Sequence, residues 1–250
     1  MIPDRTIEKI LDSEICREPF DHVVIDDFFD PQVAFSLASE FPEFRSNLWY
    51  DYSNPLEVKK TMNFWDRFPP TTYQVFWDLC SPSFSAVLSE KFGADIEADI
   101  GLNGGGWHIH GSGGKLNVHQ DYSIHPKMPK QRKLNIIYHL SRDWDNAWGG
   151  NLQLWNHDPE TNKPKNMAKV VDVKFNRAVI FDTTQHSWHG FAGKLTCPEG
   201  AYRKTLAVYY VQNPEANADT RYRAEFAPSE EQKNDPSVLQ LIEDRKKVTR

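Results

Sequence analysis

The stretch Lys115-Leu-Asn-Val-His-Gln-Asp121 alternates in character. In an extended strand Lys115, Asn117, His119 and Asp121 share one face, with Leu116, Val118 and Gln120 on the other. His119 and Asp121 then point the same way, and an imidazole and a carboxylate so placed can grip one metal ion. A second imidazole from elsewhere would complete a set of two histidines and one carboxylate. Such a set suits Fe(II) and leaves one face of its octahedron open.

The strand-rich part of the chain, from about residue 94 on, offers seven further histidines, His108, His110, His125, His139, His157, His186 and His189. The ordinary fate of any one of them is a hydrogen bond or the surface. Context selects His189. The segment Ala178–Phe191 is a hydrophobic strand running into a polar turn, which then delivers Trp188-His189-Gly190. His189 lies 68 residues beyond Asp121 (189 − 121), room for several strands to return to one place. His186 is its rival. Fourteen residues further (203 − 189) comes Arg203-Lys-Thr205, with arginine and threonine on one strand face. A guanidinium can hold a carboxylate through two parallel hydrogen bonds, and a hydroxyl two residues on can add a third. Alone, this pair reads as a solvated strand start; after a metal histidine it reads as an anion site.

Taken together, His119-x-Asp121, Trp188-His189-Gly190 and Arg203-x-Thr205 resemble the motifs of the Fe(II)/2-oxoglutarate-dependent dioxygenases, in their prolyl-hydroxylase-like branch. The resemblance extends through Leu140–Leu152, where an Asp-Trp turn follows a strand and Gly-Gly opens the next, and covers residues 95–212. A weaker echo lies in His22–Phe29. The resemblance implies a mainly β fold, a double-stranded β-helix (jelly roll, cupin-like) with helices packed on one sheet. It implies His119, Asp121 and His189 as iron ligands, Arg203 on the far carboxylate of 2-oxoglutarate, and Thr205 assisting. Fe(II), 2-oxoglutarate and O2 are then the cofactor and cosubstrates, with L-ascorbate as a companion. The implied reaction hydroxylates an unactivated C–H, first of all in a prolyl residue of a peptide or protein, with succinate and CO2 as coproducts. A free amino acid or small metabolite is the alternative substrate.

Where the branch carries a tyrosine that reaches the cosubstrate, this chain has His139, beside Tyr138. Strand parity puts Asn135, Ile137 and His139 on one face, which adds His139 and Asn135 to the cosubstrate candidates. Some relatives use lysine for the arginine, but Lys204 has the opposite parity to Thr205. Two rival classes stay open. One is a cupin-like metalloenzyme that does not use 2-oxoglutarate; the other is a binding module on a decayed barrel. The full set of His119, Asp121, His189 and Arg203 speaks against decay.

The elements that must position these residues divide the chain into three parts of one domain. Residues 1–93 read as a helix-rich support. Ile7, Ile10, Leu11 and Ile15 have helical spacing; His22–Ile25 is a short strand; Asp30-Pro31 is a cap and first-turn proline ahead of Val33, Phe35, Leu37 and Phe41. The stretch 49–68 is aromatic and without period. Tyr73, Phe76, Trp77 and Cys80 mark another helix, and Phe84, Val87 and Leu88 a third that Gly93 stops. Residues 94–212 read as the catalytic core, with strands at Lys115–Asp121, Lys133–Leu140, Asn151–Trp155, Lys169–Val173, Ala178–Phe181 and Arg203–Val211. Many short strands broken by Gly, Pro, Asn and Asp point to a double-sheet barrel or jelly roll. Residues 213–250 form a polar tail, in which Asp235-Pro236 opens a helix reaching Lys247.

Composition supports one sizeable core, with 250 residues of which 39% are hydrophobic and 13% aromatic. A net charge of −6 gives no general basic footprint for nucleic acid. Three widely spaced cysteines, Cys16, Cys80 and Cys197, make no disulfide framework and fit a reducing cytoplasm. No apolar run suggests a signal peptide or a membrane span. The oligomeric state is left open. The loop after Asp121 carries Lys127, Lys130, Arg132 and Lys133, a cationic rim for an acidic peptide or small anion. Trp49, Tyr50, Tyr52, Phe64 and Trp65 are candidates for a lid.

Overall fold

Three helices start on a side-chain acceptor followed by proline, those after Asp30 and Asp235 as the sequence suggests. Asp30 caps α2 (Pro31–Ser39) by accepting from the Gln32 amide, Ser81 caps α4 (Pro82–Phe92), and Asp235 caps α5 (Pro236–Lys246). Gly93 ends α4 in the left-handed conformation, at φ 64°. The remaining helices are α1 (Asp4–Asp12) and α3 (Pro70–Leu79). The computed structural model describes residues 2–191 and 193–247.

The strands in chain order are β1 (His22–Ile25), β2 (Tyr50–Asn54), β3 (Glu57–Met62), β4 (Glu97–Ala98), β5 (Gly106–His110), β6 (Lys115–Gln120) and β7 (Gln131–His139). They continue as β8 (Leu152–Asp158), β9 (Lys163–Val171), β10 (Arg177–Asp182), β11 (Trp188–Phe191), β12 (Arg203–Gln212) and β13 (Glu225–Phe226). Every pairing is antiparallel, in the order β1-β10-β7-β12-β5-β3-β6-β11-β8-β9. β3 is the corner. Its Lys60–Met62 end pairs with β5 and its Glu57–Val58 end with β6, so one sheet passes into the other. β2 lies along the outer side of β3. The result is a nearly closed double-stranded β-helix.

Strand parity sorts the side chains into two cores. From β5, β7 and β12, the residues Trp107, Ile109, Leu134, Ile136, Tyr138, Leu206, Val208 and Tyr210 face outward. They pack there under Ile10, Leu37, Phe76, Phe84 and Leu88 of α1 to α4. The alternate residues face into the barrel. One group, Leu152, Leu154, Val171, Val179 and Phe181, forms an apolar core with Phe20. A second group lines a cavity and is mostly polar, with His108, His110, Asn135, Arg203, Thr205 and Tyr209 beside the apolar Ile137 and Ala207. Thus a single period of two gives β5, β7 and β12 an oily back and a largely chemical front.

Some elements differ from expectation. The aperiodic stretch 49–68 contains the hairpin β2–β3 and the corner it supplies. Of the residues that mark α3, Phe76 is buried, with Thr72, Val75 and Leu79, whereas Trp77 is 60% exposed. Among the described residues, no helix is long and apolar enough to cross a membrane.

Candidate metal centre

β6 and β11 are neighbours, and their register sets His189 directly opposite His119. The two rings are 4.4 Å apart, centre to centre. Asp121 follows β6 on the same face. Its Oδ1 lies 3.9 Å from His119 Nε2, and its Oδ2 lies 3.9 Å from His189 Nε2. One donor atom from each of the three residues falls within 4.8 Å of the other two. Metal–ligand bonds of about 2.0–2.2 Å span such gaps with small side-chain adjustments.

The local backbone aims these donors. His119 Nδ1 donates to Asn117 O at 2.9 Å, and His189 Nδ1 donates to Ser187 O at 2.8 Å. A carbonyl only accepts, so each Nδ1 carries the proton and each Nε2 presents its lone pair to the site. Burial, with His189 alongside, drives the His119 pKa down to about 3 and keeps its ring neutral. Its contact with Asp121 is therefore not an ion pair. For Asp121, burial pushes the pKa up, but His189, Arg132, His119 and the Tyr209 hydroxyl outweigh it, and the carboxyl stays below its ordinary value.

Asp121 is itself held. Its Oδ1 accepts from the Tyr209 hydroxyl at 3.0 Å and lies 3.6 Å from Arg132 Nη1. The Arg132 guanidinium is clamped between two rings, 3.3 Å from the Tyr122 centroid and 3.4 Å from that of Tyr209. It also donates to Asn103 O. Asp121 Oδ2 has no hydrogen-bond partner although it is buried. A buried carboxylate oxygen left bare costs free energy unless something fills the position. Two lone pairs and that oxygen converge on one point, and the donor types suit Fe(II).

The triad opens on a cavity of about 810 Å³ that Arg203, Thr205 and Asn135 also line. Arg203 is 4% exposed. Its Nε donates to Gly150 O at 2.7 Å, and burial draws its pKa down to about 10. Gly150 is required there: its φ is +81°, and a Cβ would stand 2.8 Å from Arg203 Cδ. Among the described residues, no carboxylate lies within ion-pair distance of Arg203. Thr205 sits between His139 of β7 and His108 of β5. His139 is fully buried and lies outside the cavity lining, with neither ring nitrogen partnered. Burial and then Arg203 hold its pKa well below the ordinary value.

Two more histidines belong to this cavity and carried no assignment from the sequence: His108 and His110, both on its wall. Their signal was the same alternation that marks His119 and Asp121, in the short run Trp107-His-Ile-His110. Tyr209 and its partner Arg132 were missed as supports of Asp121.

Other candidates go elsewhere. His186, at φ 52°, stacks on His157 at 4.0 Å, while His189 joins the triad. The expected cationic rim is largely consumed. Lys130 pairs with Glu97 at 2.9 Å, Lys133 pairs with Asp182 at 2.6 Å, and Arg132 turns inward. Lys59, Arg223 and Arg245 line the mouth instead. Of the lid candidates, Tyr50 and Tyr52 line the cavity. Trp49 packs on Phe41 and Trp107, Trp65 on Phe68 and Phe76, and Phe64 is exposed.

Residues 105–211 match the family model of the 2OG-Fe(II) oxygenase superfamily. A search of curated proteins finds no match. Among solved structures, the fold is similar to a prolyl-4-hydroxylase of Pseudomonas putida, with 11% identity and a TM-score of 0.58, covering 83% of this chain and 97% of that one. It is also similar to the prolyl hydroxylase of Trichoplax adhaerens in complex with a hypoxia inducible factor peptide fragment, with 15% identity, a TM-score of 0.53 and coverage of 83% and 87%. A third similar structure is HygX of Streptomyces hygroscopicus with nickel, 2-oxoglutarate and hygromycin B bound, with 13% identity, a TM-score of 0.51 and coverage of 76% and 82%.

Proposed function

We propose that this enzyme, whose residues 105–211 match the 2OG-Fe(II) oxygenase superfamily, hydroxylates a prolyl residue in a peptide or protein, releasing succinate and CO2. His119 Nε2, Asp121 and His189 Nε2 would hold the Fe(II). Arg203 would anchor the far carboxylate of 2-oxoglutarate, with Thr205 and Asn135 as its companions on the cavity wall, whereas His139 lies behind that lining. When bound, the iron and the keto acid supply the oxidising chemistry that inserts one oxygen atom into a C–H bond. The chain supplies geometry. Arg203 would fix one end of the acid and so orient it within the cavity. Tyr209 and Arg132 keep Asp121 charged and oriented. Ile137 and Leu152 give the cavity an apolar floor that limits water.

The observation that carries this reading is Arg203. A guanidinium 4% exposed, in the same cavity as the triad and without a carboxylate partner among the described residues, calls for an anionic ligand. The prolyl substrate is supported by the two prolyl hydroxylases of like fold. A small-molecule substrate is the second reading, favoured by HygX with hygromycin B bound. Cys16, Cys80 and Cys197 are free thiols, which supports a cytoplasmic setting.

The test is turnover of 2-oxoglutarate by the purified protein with Fe(II) and ascorbate, read as succinate. Slow uncoupled release is expected, rising with the right peptide or metabolite. His119→Ala should abolish it. Arg203→Ala should lower it at least about tenfold, chiefly through KM. No succinate under any of these conditions would sink the proposal. A metal-dependent activity indifferent to Arg203→Ala would point instead to a cupin-like enzyme that does not use 2-oxoglutarate.

A further inference from the structure

β12 is flanked on both sides by strands that bring an imidazole next to the arginine pocket. On the β7 side stands His139, already considered. On the β5 side stands His110, the direct cross-strand partner of Arg203. His110 is 1% exposed, lines the cavity, and has no hydrogen-bond partner on either ring nitrogen. Phe191 packs edge-on against it at 5.2 Å, and the Arg203 guanidinium lies 5.2 Å from the Phe191 ring. An imidazole buried with both nitrogens bare pays the full desolvation penalty of a polar group. That arrangement makes sense when a ligand completes it.

We propose that His110 is a cosubstrate-binding residue: it donates an imidazole N–H to the far carboxylate of 2-oxoglutarate, beside Arg203. The inference rests on the proposed function and adds a residue to it. Its chemistry is specific. Burial, and then Arg203, keep the ring neutral, so it has one N–H to give. Arg203 has spent its Nε on Gly150, which leaves its terminal nitrogens for the carboxylate. Those donors and the imidazole approach from adjacent strands, so they can address different lone pairs of one carboxylate. The acid would then be held from two strands, which limits how far it can swing around the guanidinium.

The test measures binding rather than turnover. The full chain is loaded with Mn(II) and titrated with 2-oxoglutarate by calorimetry. The unsubstituted protein should bind the acid only when metal is present. His110→Phe fills the same space without a donor and should weaken binding tenfold or more, the scale of one hydrogen bond to a charged group. His110→Gln keeps an N–H and should bind within about threefold of the unsubstituted protein. Mn(II) affinity without the acid should be unchanged in both. If His110→Phe binds 2-oxoglutarate within twofold of the unsubstituted protein, the inference is overturned while the proposed function stands. If the unsubstituted protein binds no 2-oxoglutarate, the proposed function fails and takes this residue's role with it. Should His110→Phe not fold, 15N-histidine NMR of the unsubstituted Zn(II) form decides. The acid should move the ring signals that His110→Gln lacks, and signals that stay put overturn the inference.

Discussion

At the scale of single residues, the site depends on how Asp121 is held. One carboxylate oxygen, Oδ2, is bare on the His189 side; the other, Oδ1, lies nearer His119, accepts from Tyr209 and leans toward Arg132. The support side thereby decides which way the free oxygen points. Tyr209→Phe removes one hydroxyl and leaves the ring that stacks on Arg132. The substitution should lower metal affinity about tenfold, the usual cost of losing a partner that orients a ligand. The melting temperature of the metal-free protein should move little, because no packing is lost. Competition between the protein and a chromogenic chelator for Co(II) measures the first quantity, and a thermal scan without metal the second. An unchanged Co(II) affinity would show that Arg132 and the backbone suffice to place Asp121.

At the scale of elements, the centre is a property of the β6–β11 pairing, since His119 and His189 meet only through its register. Gly190 lets the two strands approach: a Cβ there would stand 2.8 Å from Asn117 O and 2.9 Å from Val118 Cα, both backbone atoms that cannot rotate away. Gly190→Ala should push β11 off β6, weaken metal binding more than tenfold and lower the melting temperature, by overpacking of about 1–3 kcal/mol. Metal affinity and melting temperature equal to those of the unsubstituted protein would contradict this. The same pairing logic explains what was legible in the sequence. β6 and β12 could be read because one face of each is chemical and the other apolar or neutral, and alternation survives in a linear string. β3 could not. It borrows its order from β5, β6 and β2, so its own residues need not alternate. Glycine turns on either side hid β5, and with it His108 and His110. The rim was misread for a further reason: Lys130 is neutralised by Glu97 and Lys133 by Asp182, partners 33 and 49 residues away. Sequence shows charges, but their cancellation is tertiary.

For the molecule as a whole, the cost of this architecture is a barrel interior crowded with neutral imidazoles. His108 and His119 are pushed down to about 3, and His110 and His139 well below their ordinary value, in each case by burial first. In the unfolded chain the same residues titrate near 6.5. As pH falls below that value the unfolded state takes up protons and the folded state does not, so stability is lost with acid. Each such histidine contributes a slope of about 1.4 kcal/mol per pH unit between the two pKa values. The metal-free protein should therefore be most stable above pH 6.5 and lose stability steeply between about pH 6.5 and 4. A second, lower window comes from Asp26, whose carboxyl is held at about 2 by the Arg177 hydrogen bond, with Lys174 assisting. Its contribution is present above the ordinary carboxylate range and disappears as pH falls toward 2. Urea unfolding at pH 7.5, 6.0 and 5.0 is the measurement, with the midpoint falling at each step and the slope with denaturant constant. A midpoint that is flat from pH 7.5 to 5.0 would mean that the interior histidines bind protons when folded. The neutral, ligand-ready state described for His110 and His119 would then be wrong.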